Sequence, residues 1–261
     1  MTGRAAFEHV HLELLSDAQV QLRRQALAQV LGERYQILQV LGQSVKSLVC
    51  AGRCAVSGKQ VVIKRYFDEA AYAAEVSGYL LFRSGPVATV QYQDAQHQVL
   101  VLEHLQGRLP IPADLPDVIA AYAAMHAVAL ANIQLAVGHR STPDFLDPCL
   151  SSLCRFPSFD LQGISVGDGK PEHLLVTADG VRIIDLETHS LRRSVWFDIL
   201  SLSRFMDAGM DFSWHLGKWL AHYCACRGIP VHYYDLQKIR DCLQRVRALE
   251  PGKVYCEETM P

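Results

Sequence analysis

Six residues of this chain have the types and spacing to do chemistry together: Lys64, Glu75, Asp168, Lys170, His173 and Asp185. Two of them are acids tied to short apolar stretches. Asp168 sits between glycines in "GDGKPEHLLV" (167–176), and Asp185 follows the apolar pair of "VRIIDLET" (181–188). An acid held in a loop can accept a hydroxyl proton, or orient that hydroxyl for attack. A carboxylate ending a buried strand is costly unless it meets a cation or donors. Mg²⁺ bridging phosphate oxygens is an economical partner for it. His173, five residues after Asp168, can ligate a metal. Lys64 ends the run "VVIK", where its charge can meet phosphate oxygens. Glu75, on the following helix, can hold that ammonium by an ion pair, with Glu69 as a competitor. Each residue alone has an ordinary reading: a strand edge, a solvated helix face, a cap or a turn. Two acids placed after two paired strands argue for a site.

The elements that position them follow from periodicity. Residues 5 to 31 carry apolar side chains at helical intervals, and Ser16-Asp17 can cap the second half. Three strand-like runs follow, "YQILQVLG", "SLVCAGRCAV" and "KQVVIKRYF". A helix is expected at about 68 to 83, then two more strands, "ATVQYQDAQ" and "HQVLVLEHL". This reads as a five-stranded meander with one inserted helix. "DLPDVIAAYAAMHAVALANIQL" predicts a long helix, and residues 136 to 163 read as irregular, with a short helix at 145 to 154. "HLLVT" and "GVRIIDL" flank "ADG", a hairpin turn. Further helices are expected at 195 to 207, 212 to 227 and 235 to 249. Within "LGQSVKSLV", Gly42, Ser44, Ser47 and Val49 have the spacing G-x-G-x-x-G-x-V, with serine at the second and third glycine positions. Such a turn can lay backbone N–H groups over phosphates; an ordinary hairpin is the other reading.

Composition bounds the class. The chain has 261 residues, half of them hydrophobic, 20% charged, with a formal net charge of −2. A sizeable core is available, and nothing pulls the chain toward nucleic acid or an anionic membrane. No run of about 18 apolar residues predicts a membrane span, and the first residues lack a signal core. Eight scattered cysteines, without regular zinc spacing, read as reduced thiols. A cytoplasmic protein is the expectation.

In this order, Gly42, Lys64, Glu75, Asp168, His173 and Asp185 resemble the protein-kinase-like superfamily, closest in pattern to its aminoglycoside, macrolide and choline phosphotransferase group. "VVIK" resembles V-A-I-K, and "GDGKPEHLLV" resembles both R-D-L-K-P-E-N-L-L and H-G-D-x-x-x-x-N. "IIDLET" resembles I-D-F-E more than D-F-G. The resemblance implies an α+β, two-lobed fold: an N-terminal helical extension (1–33), a β-rich nucleotide-binding lobe (34–105) and a mostly helical lobe (106–261). It implies ATP and Mg²⁺, or Mn²⁺, as cofactors and a hydroxyl-bearing acceptor as partner. Asp168 would be the catalytic base and Lys170 would stabilise transferred charge. Gly42, Ser44, Ser47, Val49 and Lys64 would face the phosphates, with Glu75 pairing Lys64, and backbone groups near Glu103 and Leu105 would receive adenine. His173 and Asp185 would hold metal. Val166 stands where small-molecule kinases carry histidine and protein kinases arginine; His173 replaces asparagine, as macrolide kinases also do. Asp198 resembles the structural aspartate that starts the next helix. The short segment between Asp185 and Asp198 favours a small-molecule or sugar acceptor. Asp207, Asp211, Glu257 and Glu258 could attract a cationic acceptor, and Arg192-Arg193 an anionic one. A protein or lipopolysaccharide-type kinase, and a pseudokinase that binds nucleotide or a partner, are the alternatives.

Overall fold

The structure, a computed structural model, describes residues 16–132, 165–167, 169–189, 195, 198–199, 201–202 and 212–228. The expected helices at 145 to 154 and 235 to 249, the segment 136 to 163, most of the helix at 195 to 207, the first part of the N-terminal helix, and Asp168, Arg192, Arg193, Asp207, Asp211, Glu257 and Glu258 lie outside the described residues. The chain divides into two compact units. One takes the described residues up to Tyr72 together with Thr89–His104; the other takes Ala73–Ala88 and the described residues from Leu105 onward.

The first unit is built on an antiparallel sheet of five strands: β1 (Tyr35–Gln43), β2 (Ser47–Cys54), β3 (Gln60–Tyr66), β4 (Val90–Asp94) and β5 (Val99–Glu103). Their order is β1-β2-β3-β5-β4, so the sheet is not the expected meander: β5 inserts between β3 and β4. The cause is apolar patterning. In β5 the run Val99–Leu102 is buried throughout, whereas Val90, Gln91 and Gln93 of β4 are exposed. A continuous apolar run is most stable where both faces are covered, each fully buried Val or Leu contributing about 1.5–3 kcal/mol. The more polar strand takes the edge, where exposed side chains are cheap.

One face of this sheet is covered by α1 (Asp17–Leu31). Val20, Leu27 and Leu31 share a helix face and pack on Leu48, Cys50, Val61, Ile63, Val99 and Val101, alternate residues of their strands. The expected cap is present. Gln19 N–H donates to Ser16 Oγ at 3.4 Å, and Ser16 N–H donates back to Gln19 Oε1 at 2.8 Å. Gly32, at φ 56°, ends the helix in a conformation that favours glycine.

In the second unit α3 (Leu115–Asn132) packs on α4 (Phe212–Arg227) and on the strand Gly180–Ile183. Leu115, Val118, Ile119, Tyr122, Met125 and His126 form the buried stripe of α3; Trp219, Leu220, Tyr223 and Cys224 form that of α4. The predicted hairpin is there: β6 (Leu174–Thr177) pairs with β7 (Gly180–Ile183), Leu174 opposite Ile183. Its turn is tied by Thr177 Oγ1, which donates to the Gly180 carbonyl at 2.8 Å. Among the described residues no helix is long and apolar enough to cross a membrane, and Cys50, Cys54, Cys224 and Cys226 form no disulfide. The helix α2 (Glu69–Leu81) starts at Asp68, whose carboxylate accepts from Ala70 N–H at 2.9 Å.

Candidate functional site

The β1–β2 turn holds Gly42 and Ser44 before the bend and Ser47 and Val49 after it, with Gly42 opposite Val49. Its serines bond the turn to itself. Ser44 N–H donates to the Ser47 carbonyl at 2.8 Å, while Lys46 N–H and Ser47 N–H both reach Ser44 Oγ, at 3.1 and 3.0 Å. Of residues 44 to 47 only Val45 keeps an N–H with no bond among the described residues. The turn therefore offers few amides to an anion in this conformation. From α1, Arg23 Nη1 donates to the Ser44 carbonyl at 2.8 Å and so fastens the turn to the helix.

Lys64 lies on β3 opposite Leu100 of β5, on the face away from Ile63. It is buried, at 8% exposure, with Nζ 5.0 Å from the centroid of the Tyr66 ring. Glu103 ends β5; its N–H donates to the Thr89 carbonyl at 2.9 Å. Leu105 follows in the second unit, and its N–H carries no bond among the described residues.

Asp168 lies outside the described residues, but both its neighbours are described and their contacts explain the glycines. Gly167 has φ 104°, reserved for glycine, and a Cβ there would run into the Thr188 carbonyl. A Cβ at Gly169 would run into the Ser201 hydroxyl and approach the Tyr122 hydroxyl. The stem before Asp168 is clamped by Asp198, which is fully buried. Its carboxylate accepts Val166 N–H at 2.7 Å, Gly167 N–H at 2.9 Å and Ser165 Oγ–H at 2.9 Å, and meets His126 Nε2 at 2.8 Å. Four partners on one buried carboxylate fill its acceptor capacity. Val166 is thereby accounted for: its side chain is core while its backbone N–H takes the polar role. Sequence reasoning singled out Asp198 but passed over His126, which sits on an apolar helix face.

The 3₁₀ turn Pro171–His173 and the hairpin place the remaining residues. His173 N–H donates to the Lys170 carbonyl at 3.0 Å, and the His173 carbonyl accepts Ile184 N–H at 2.8 Å. This last bond brings His173 alongside Asp185: His173 Nε2 is 3.5 Å from Asp185 Oδ2. Asp185 has φ 63°, a left-handed backbone that aspartate tolerates better than most residues. Its carboxylate meets two more. One oxygen each of Glu75, Asp185 and Glu187 lie within 4.8 Å of one another, all in the second unit. Glu75 is almost completely buried, at 1% exposure, while Glu69 is exposed, which separates two glutamates that sequence reasoning left open. Glu187 was missed as a site residue, although it is the glutamate of the quoted I-D-F-E pattern.

Two features set this convergence. Gly78, one turn after Glu75, lets α2 touch the segment after Asp185: a Cβ there would lie 2.6 Å from Leu186 Cβ and 2.9 Å from the Leu186 carbonyl. The chain leaving α2 then adds to β7, with Ile183 N–H donating to the Pro86 carbonyl at 2.8 Å and Arg182 Nη1 to the Val87 carbonyl at 3.1 Å. Three carboxylates beside an imidazole suit a hard divalent cation with oxygen preference, so the residues present fit Mg²⁺ or Mn²⁺.

No family model and no curated protein matches the sequence. Solved structures do match. A candidate fructosamine-3-kinase from Thermobifida fusca YX-ER1 superposes with TM-score 0.53 at 17% identity, over 88% of this chain and 93% of its own. A candidate aminoglycoside phosphotransferase from Ralstonia eutropha JMP134 gives 0.52 at 14% identity, over 93% of both chains. A choline/ethanolamine kinase family protein from Mesorhizobium loti gives 0.51 at 12% identity, over 91% of both. The chain has the α+β protein-kinase-like fold.

Proposed function

We propose that this chain is an ATP-dependent O-phosphotransferase acting on a hydroxyl of a small molecule or sugar. The observation that carries the reading is the meeting of Glu75, Asp185 and Glu187, with His173 beside Asp185, on a protein-kinase-like fold. Three carboxylates this close fit a shared divalent cation. Asp185, Glu75 and Glu187 would hold Mg²⁺, with His173 as a further ligand. When bound, the ion neutralises phosphate charge. Lys64 binds the α- and β-phosphates, and Lys170 stabilises the transferred group. Backbone groups of Glu103 and Leu105 receive adenine. Asp168 accepts the acceptor's hydroxyl proton as that oxygen attacks the γ-phosphorus; the bond to the β–γ bridging oxygen breaks and ADP leaves. The bonds from Asp198 to Val166 and Gly167 support this role, because they hold the stem on which Asp168 stands.

The test is ATP turnover with Mg²⁺ or Mn²⁺ against sugars, aminoglycosides, macrolides and generic protein substrates, for the natural chain and for Asp168→Asn. Turnover lost in the variant, with nucleotide affinity retained, is the expected result. Absence of metal-dependent nucleotide binding by calorimetry would overturn the reading. One observation favours a second reading, a nucleotide- or partner-binding pseudokinase: the amides of the β1–β2 turn are bonded within the turn. Thermal stabilisation by nucleotide without turnover on any acceptor would select it.

A further inference from the structure

The clamp on the stem before Asp168 does not end at His126. His126 Nδ1 lies 2.8 Å from Tyr223 Oη, and Arg227 Nη1 donates to that same oxygen at 3.0 Å. Tyr223 and Arg227 are one turn apart on α4, and Tyr223, His126 and Asp198 are fully buried. We propose that Tyr223 is a positioning residue for the loop that carries Asp168: its hydroxyl donates to His126 Nδ1 and holds His126 as the Nε2–H tautomer, oriented by Arg227.

The direction of each bond follows from the groups that meet. The Asp198 carboxylate can only accept, so His126 presents an N–H at Nε2. A neutral imidazole then has a lone pair at Nδ1, and the facing group must be a donor. Tyr223 is made that donor by Arg227, which has only N–H groups to give. A phenol oxygen that accepts from the guanidinium turns its own proton toward the imidazole. Burial raises the Tyr223 hydroxyl well above the usual phenol range, against the lowering pull of Arg227, so the proton stays on oxygen. An imidazolium would place a second cation against Arg227 in a site where one carboxylate is already shared four ways. The chain Arg227 to Tyr223 to His126 to Asp198 therefore runs donor to acceptor at every link and ends on the Asp198 carboxylate, which also accepts the N–H groups of Val166 and Gly167.

The consequence is that a hydroxyl on α4, far from Asp168 in sequence, sets how firmly Asp198 holds that stem. Without it, Nδ1 loses its donor and Nε2–H is held by Asp198 alone. Asp198 then holds a ring that is fixed at one nitrogen instead of two.

The experiment is Tyr223→Phe, which keeps the ring, read in two ways. The first is the ¹⁵N signature of the His126 ring in the labelled full chain, independent of any activity. The natural chain is expected to show a neutral Nε2–H imidazole, and the variant a mixture of tautomers or an imidazolium. A natural chain already carrying Nδ1–H or an imidazolium overturns the proposal, as does an unchanged ring in the variant. The second readout rests on the phosphotransferase reading: kcat is expected to fall about tenfold with KM for ATP unchanged. That cost should vanish in a His126→Gln background, where a side-chain amide donates to Asp198 without needing Tyr223. An equal cost in both backgrounds means that Tyr223 acts by packing alone and overturns the proposal. If Tyr223→Phe fails to fold, Arg227→Met is read in the same ways, with a smaller shift in the same direction expected. If the natural chain turns over no ATP, the phosphotransferase reading fails and the ¹⁵N signature alone decides this one.

Discussion

Two glycines inside helices make a controlled comparison. Gly78 is buried on α2 and Gly217 lies on α4. Helix propensity treats them alike: alanine in a helix interior is favoured over glycine by about 1 kcal/mol. The surroundings do not. Among the described residues a Cβ at Gly217 meets nothing within 4 Å, whereas at Gly78 it lies 2.6 Å from Leu186 Cβ, 2.9 Å from the Leu186 carbonyl and 3.2 Å from His189 Nδ1. Carbon atoms rest about 3.5–4.0 Å apart, so Gly78→Ala demands a displacement on the order of 1 Å. Leu186 cannot yield cheaply. It is fully buried, and its carbonyl is bonded to His189 Nδ1 at 2.8 Å. Overpacking of this kind costs roughly 1–3 kcal/mol. Gly217→Ala should therefore stabilise by about 1 kcal/mol, while Gly78→Ala should end between neutral and about 2 kcal/mol destabilised. At ~2–4 °C per kcal/mol for a chain near this size, the two variants should melt several degrees apart in circular dichroism. Because Glu75 lies one turn from Gly78, Gly78→Ala should also weaken Mn²⁺ binding followed by electron paramagnetic resonance; Gly217→Ala should leave it unchanged. If Gly78→Ala melts as high as Gly217→Ala, the close approach of α2 to Leu186 is wrong, and with it the placing of Glu75.

Asp185→Asn removes a charge while keeping a residue that tolerates φ near 63°, so it should weaken Mn²⁺ binding by about tenfold or more with little loss of thermal stability. Glu187→Gln should act in the same direction, and unchanged Mn²⁺ affinity in both variants would remove the acid cluster from the argument. Replacing Ser44 and Ser47 together by glycine frees the Lys46 and Ser47 amides; Mg·ATP should then bind tighter by calorimetry, and weaker binding would show that the serine hydroxyls help hold the phosphates. The Arg108 guanidinium, donating to both oxygens of Asp114 at 2.6 and 2.8 Å, lowers that carboxyl to about 2. A lowered folded-state value contributes stability above the unfolded value of about 4 and loses it as pH falls toward 2. Arg108→Met should therefore narrow the gap between urea midpoints at pH 5 and pH 2.5, and an unchanged gap would contradict the pairing.

Strand positions and the hairpin were legible because a side chain's burial is written locally, in alternation. "SLVCAGRCAV" and "KQVVIKRYF" became β2 and β3 almost residue for residue. The order of β4 and β5 was misread, although its signal was present. "VLVL" has no polar position to spend on an edge, while "VQYQD" has several. Sequence adjacency suggested a meander; the cost of exposing four apolar residues decided otherwise.

The candidate site shows where local patterns stop. Asp185 and His173 were legible because a hairpin fixes their register within one stretch of chain. Glu187 could have been found two residues after Asp185 in "IIDLET". Glu75 could be named but not placed, since a helix period cannot say which of two glutamates is buried when both precede apolar turns. The missing signal was Gly78, a residue that weakens a helix and is therefore a clue to close approach. Buried polar groups follow the same logic in reverse. His126 and Tyr223 sit on faces that periodicity assigns to the core, and nothing local marks their hydroxyl and ring nitrogens as paired. What makes them tolerable is Asp198, distant in sequence from both, which must itself be satisfied or be ruinous in a buried position. Such a network is visible to sequence only through its cost: an aspartate, a histidine and a tyrosine at buried positions demand one another, and the backbone N–H groups of Val166 and Gly167 complete the set.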